Sequence, residues 1–361
     1  MTVVGGALAV MLVSLLLSWR KQRRDKGGGA VVPRDTTVAA REARVRARAE
    51  AAGFLPRERL DTERAAAPDP RVEAAVEAVV RGEWEPAAAL VRASGTDWWL
   101  RRTCVSRLAE RAAEDDAWLA AWERARPEDP EAALVRGAST VFLAWDIRGS
   151  LTADHTTAEQ FRGFHQVLHQ ARADVDRAVA LNPEDPTPLV DSISLAFGMG
   201  EPHEHMRELW ARIVALDPYH FQAHWSALQY WCAKWRGSRE LAMEFAESAA
   251  AEAPPESMLV LLPLLARWEH KSDLKEPFTS PRARAATDAA LRALAAAPEA
   301  RTAPQVRHFV AFFLAEQKRY GEAREQFRLI DGRIGSPPWT YFARPAEAYE
   351  EIRDGVLRKA R

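Results

Sequence analysis

Apolar residues recur at three- and four-residue steps through most of this 361-residue chain. No stretch alternates apolar with polar positions like a half-buried strand, so the pattern predicts helices throughout. Val72, Ala75, Val76, Val79 and Val80 predict one helix, Gly82 a turn, and Trp84 the opening of the next helix, a first hairpin over 71–93. Further along, Ala-rich runs close on Pro183, Pro218, Pro254 and Pro298, which lie 35, 36 and 44 residues apart. Repetition near this period marks stacked helical hairpins, each burying one face only against its neighbours. Asp69-Pro70, Asp129-Pro130 and Asp185-Pro186 each place an N-cap residue before a proline suited to the first helical turn. Pro-Glu-Asp-Pro stands at 127–130 and again at 183–186, so two inter-hairpin loops are expected to share one solution.

The helix faces ahead of these prolines carry a second regularity. Ala171, Val175 and Ala178 precede Pro183; Met206, Trp210 and Ile213 precede Pro218; Leu241, Phe245 and Ala249 precede Pro254; Ala286, Ala290 and Ala293 precede Pro298. Tyr320, Ala323 and Phe327 repeat the theme in YGEAREQF. This alternation of small and aromatic residues before a terminal proline resembles the tetratricopeptide repeat over roughly 157–335, with an insertion around Glu269–Pro281 to absorb the 44-residue spacing. GEWEPAAALVRASGTDWWLRR (82–102), WERARPEDPEAALVRG (122–137) and LQYWCAKWRGSRE (228–240) resemble an actinobacterial family of unassigned function with a tetratricopeptide-like body. The resemblance implies an all-α fold, an α-solenoid of tetratricopeptide-like hairpins. It implies no reaction.

The N-terminus reads differently. Val3 to Trp19 carries no charge, and Arg20-Lys21-Gln22-Arg23-Arg24 follows at once. Seventeen residues make a helix of about 25 Å, the short end of what spans a bilayer. Positive charge on the C-terminal flank predicts an uncleaved anchor with its N-terminus outside and the body at the cytoplasmic face of the plasma membrane. The expected organisation is a transmembrane anchor over 1–19, a basic juxtamembrane linker over 20–68 and a helical domain over 69–361. Within the linker, 39–52 predicts a helix, either adsorbed to anionic lipid or solvated, and Gly53, Pro56 and Pro68 predict a tether. Net charge is +6 over 20–50 and −7 over 51–361. An acidic body with no basic face excludes nucleic acid as the expected partner.

Catalytic signatures are absent from the sequence: no phosphate loop, dinucleotide fingerprint or nucleophile elbow. Ser272-Asp273-Leu274-Lys275 fits a four-residue nucleophile pattern without its companion motifs. Asp115-Asp116 and the Asp174/Asp176 pair read as caps or solvated groups. Cys104 and Cys232 are far apart and in no metal spacing, which predicts two buried thiols. His165/His169 and His220/His224 stand four apart, and His203-Glu204-His205 opens a helix. None has further ligands at a recognisable spacing, so neither a metal site nor any cofactor is expected.

Thirteen tryptophans are heavy use. Phe221, Trp225, Leu228, Cys232 and Trp235 form one helical stripe with His224 and Trp231 on its border, read as core or as the lining of an aromatic groove. The candidate groove residues are Trp225, Trp231 and Trp235, with Lys234 and Arg236 as rim charges. The expected function is a membrane-tethered scaffold that binds a protein or peptide at the cytoplasmic face. Its rivals are a metal-dependent hydrolase using His165, His169, His203 and His205, and a sensor of a small ligand in a Trp-rich cavity.

Overall fold

The computed structural model describes residues 36–149, 157–271 and 277–360, with 36–42 as backbone only. Among them are sixteen α-helices and no β-strand, so the fold is all-helical. No described helix is long and apolar enough to cross a membrane. The uncharged run 3–19 lies outside the described residues, as does Ser272–Lys275. The described residues divide into two compact units, one built from 68 to 271, the other from 277–360 together with 36–67.

In the first unit the helices are α1's successors: α2 (Pro70–Val80), α3 (Glu85–Ala93), α4 (Trp98–Glu114), α5 (Ala117–Ala125), α6 (Pro130–Arg148), α7 (Ala158–Leu181), α8 (Thr187–Gly198), α9 (His203–Leu216), α10 (Phe221–Trp231), α11 (Arg239–Glu252) and α12 (Leu262–Glu269). The helix preceding them in sequence, α1 (Thr36–Ala51), belongs to the second unit. Chain neighbours pack in pairs such as α2 with α3, α6 with α7 and α8 with α9. Each even-numbered helix from α2 to α10 also packs on the next even-numbered one.

The Asp-Pro starts at 69 and 129 work as expected, while at 185 the helix begins one residue later, with Pro186 as its N-cap. Asp69 accepts from the Arg71 amide, Asp129 from Glu131 and Asp185 from Thr187, so each carboxylate satisfies an orphan donor of the first turn. The two Pro-Glu-Asp-Pro loops share a further device: each aspartate accepts a backbone amide two residues on and holds a second group. Asp129 accepts the Trp122 indole N–H at 3.0 Å, and Asp185 accepts Arg101 Nε at 2.6 Å. Small residues mark the close faces: Ala171, Val175 and Ala178 are buried on α7. On α11 the buried pair is Ala242 and Ala246, one position on from Leu241 and Phe245.

α8 and α10 depart from the one-faced pattern. Every residue of 187–197 is buried, and so is every residue of α10 except Gln222. A helix apolar around most of its circumference is enclosed, not surface-lining. Leu189, Val190, Ile193, Leu195 and Phe197 point to several sides of α8, and Ser192 returns its hydroxyl to the Pro188 carbonyl at 3.2 Å. Both flanks of α10 are occupied, so the stripe through Phe221, Trp225 and Leu228 is core, one of the two readings its spacing allowed.

The second unit contains α13 (Pro281–Ala296), α14 (Ala303–Glu316), α15 (Tyr320–Ile330) and α16 (Pro345–Lys359). Its core is aromatic, with Phe327, Trp339 and Tyr349 in mutual contact at 5.1–5.9 Å. The Trp339 indole N–H donates to His308 Nδ1 at 2.9 Å. α1 packs on α16, with Ala49 buried.

The stretch 53–68, expected as a tether, is packed into this unit. Its glycine and prolines shape turns, and its side chains dock. The Arg57 guanidinium reaches Glu350 at 2.7 Å, and buried Arg353 donates to the Leu55 carbonyl at 2.8 Å. Asp61 pairs its backbone with Gly332 and Ile334, and the Gly335 amide donates to Arg64 at 2.9 Å. A β-carbon at 335 would lie 2.2 Å from the Arg64 nitrogen, so only glycine permits that approach. We predict that a fragment starting at residue 66 is less stable in its second unit than one starting at residue 36, by about 1–3 kcal/mol, because the buried Arg353 donor loses the Leu55 carbonyl. Urea unfolding of the two fragments checks this; equal midpoints would contradict it.

Candidate functional site

Five helix ends of the first unit meet around a single aromatic and cationic cluster. α10 stops at Trp231 because Cys232 turns extended (φ −73°, ψ 150°) and the chain doubles back. The Arg236 amide donates to the Tyr230 carbonyl at 3.2 Å, and the Gly237 amide to Cys232 at 3.2 Å. A β-carbon at 237 would lie 1.9 Å from the Trp231 carbonyl oxygen. This turn lifts Trp235 off the helical stripe on which its spacing had placed it.

Trp235 then packs on residues from other helices. Its ring lies 4.7 Å from Phe197 at the end of α8 and 5.7 Å, edge-on, from Trp145 near the end of α6. Trp145 also meets Phe164 of α7 at 4.9 Å and Phe197 at 5.2 Å. The Arg148 guanidinium sits 5.5 and 5.6 Å from the Trp145 and Trp235 rings, in cation–π range. Burial pushes its pKa down from the usual arginine value. The cluster continues through Tyr230 and Trp231, whose rings are 5.0 Å apart. His203, at the start of α9, meets the Trp231 ring at 5.0 Å, and its Nε2 lies 2.6 Å from the Arg236 carbonyl oxygen. Arg207 stands 5.8 Å from the Trp231 ring. The Tyr230 hydroxyl donates to the Glu201 carbonyl at 2.8 Å. Burial raises its pKa, with Arg236 opposing.

Two carboxylates of this region, Glu201 and Glu269, are ion-paired. Glu201 pairs with Arg172 and lies 2.6 Å from His205 Nε2. Glu269 takes Lys234 at 2.7 Å and the Gln229 amide at 3.0 Å. The turn is fixed from below as well: the Ala233 amide donates to His270 Nε2, whose Nδ1 donates to the Ala266 carbonyl.

The residues singled out from sequence are therefore divided. Trp225 is enclosed against Phe221, and Trp231 is 7% exposed, so neither lines an open groove. Trp235 is half-buried, while Lys234 and Arg236 lie at the surface in the turn. Trp145, Arg148, Phe164, Phe197 and Arg207 were missed. They come from α6, α7, α8 and α9, and no local spacing unites them.

The histidines do not converge. Among the described residues no three His, Cys, Asp or Glu side chains form a group that could hold a metal. His165 and His169 are exposed on α7. His220 caps α10 by accepting the Ala223 amide at Nδ1, and His224 Nδ1 lies 3.0 Å from the His220 carbonyl. Cys104 and Cys232 are buried and unbridged.

Buried ion pairs join α4 to the start of α8. Besides Arg101 on Asp185, Arg102 Nη1 contacts Asp191 at 2.5 Å, with both side chains nearly inaccessible. Comparisons with family models, curated proteins and solved structures find no match to this chain.

His220 and His224 supply a pH test. Burial, with Arg102 and His224 beside it, lowers the His220 pKa to about 3. Burial lowers His224 to about 4. Both lie below the unfolded value near 6.5, so the unfolded chain binds protons that the folded chain refuses. Their contribution is complete above pH 6.5 and is lost as pH falls toward 4, at up to about 1.4 kcal/mol per pH unit for each histidine. Urea midpoints from pH 7 to pH 5 should fall more steeply for the native chain than for His220→Asn/His224→Gln. Parallel curves would contradict the assignment.

Proposed function

We propose that this chain is a membrane-tethered helical scaffold that engages another protein at the cytoplasmic face. Its first unit is read as an α-solenoid of tetratricopeptide-like hairpins. The packing of each even-numbered helix on the next, α2 through α12, supports that reading, because lateral stacking of helix pairs is what such repeats do. The anchor is the uncharged run 3–19, oriented by Arg20-Lys21-Gln22-Arg23-Arg24. Confinement to a surface raises the effective concentration of a partner held there.

The observation that carries the reading is the turn 232–237. With α8 and α10 enclosed, this turn still offers half-buried Trp235 and exposed Arg236 to solvent. Docking at helix ends replaces docking along an inner groove.

Two measurements test this. The full chain should sediment with membranes and resist alkaline carbonate, and deletion of residues 1–19 should release it; a full chain extracted by carbonate would remove the anchor. A photoreactive residue at position 234 should give a discrete crosslinked protein in cells, absent when the same probe sits at position 282 of the second unit. Identical crosslinking from both positions would count against a defined docking site.

A further inference from the structure

We propose that the helix-end cluster around Trp231, Trp235, Arg207 and Arg236 binds an acidic, extended protein segment. This rests on the scaffold reading and names the chemistry of its partner. The body from 51 to 361 carries a net −7, so an acidic segment is repelled by most of it. Here the balance is reversed locally. Arg148, Arg172, Arg207, Lys234 and Arg236 gather at one end of the hairpins. Glu201 and Glu269 neutralise Arg172 and Lys234. Arg207 and Arg236 have no carboxylate partner among the described residues. Their guanidinium groups have aromatic neighbours instead: Arg207 stands beside the Trp231 ring, and the Arg236 charge acts on the Tyr230 hydroxyl.

A guanidinium oriented by an aromatic face keeps its donor edge available for a carboxylate, and arginine's fork suits that group in two-point contact. Exposed Glu204 and Glu208 on α9 offset part of the charge and limit the segment to one that reaches the Arg207–Arg236 side. Half-buried Trp235 adds an apolar surface next to these cations, which suits a segment whose acidic residues are interspersed with an apolar side chain.

The test uses the full chain in detergent and a short fluorescein-labelled peptide of alternating Glu and Leu, read by anisotropy. Binding should weaken with rising salt, as screening requires. Arg207→Glu/Arg236→Glu should lower affinity at least about tenfold, a change of about 1.4 kcal/mol. Arg282→Glu/Arg292→Glu, the same charge change on exposed residues of the second unit, should leave it unchanged. Equal losses in both double variants would overturn the site, as would absence of binding at low salt. Binding of phosphatidylserine vesicles through Arg207 and Arg236 by the chain lacking residues 1–19, without peptide binding, would overturn it in favour of lipid. These failures leave the scaffold reading standing, since crosslinking from position 234 tests that separately.

Discussion

The first unit depends on charges taken out of water. Arg101 and Arg102, adjacent on α4, reach Asp185 and Asp191 across to the α8 segment, and all four side chains are buried. Isolated buried ions are strongly disfavoured, so each arginine demands its aspartate in place. Asp185 also accepts the Thr187 amide at the first residue of α8, which ties the start of that helix to the position of α4. Desolvation raises the Asp191 pKa against the opposing charge of Arg102. The neighbouring His220 is held neutral by the same burial and by Arg102. The pairs thus fix where α8 begins and how it faces α4, and from there where its far end presents Phe197 to the tryptophan cluster.

Much of the helical architecture was legible because it is local. Asp before proline sets a helix start through a hydrogen bond two residues on, and the Asp69, Asp129 and Asp185 starts all follow this rule. Small residues at three- and four-residue steps gave the close faces of α7 and α13. At α11 the reading slipped by one position, since alanines at 242, 246, 249 and 250 offer several equivalent stripes. A pattern that marks one apolar face also cannot reveal that the other faces of α8 and α10 are buried too, with Thr187, Ser192, Ser194, His224, Ser226 and Gln229 inside.

The site was harder to read because it is assembled from helix ends far apart in sequence. Spacing alone placed Trp235 on the α10 stripe, whereas Gly237 permits a reversal against Trp231 that removes it. Lys234 and Arg236 were found because they adjoin the tryptophans in sequence; Arg148 and Arg207 were not, because only folding brings them there. The 53–68 stretch failed as a tether for a related reason. Its glycine and prolines were visible, but its partners Gly332, Gly335, Glu350 and Arg353 lie nearly three hundred residues away.

The most direct test of this account is a double-mutant cycle on Arg102 and Asp191 in the full chain, followed by urea unfolding of the first unit. Each single alanine substitution should cost about 3–5 kcal/mol by stranding a buried charge, and the double variant should cost far less than their sum. Additive losses would show that the two side chains are not coupled, and the claim that buried ion pairs position α8 would be wrong.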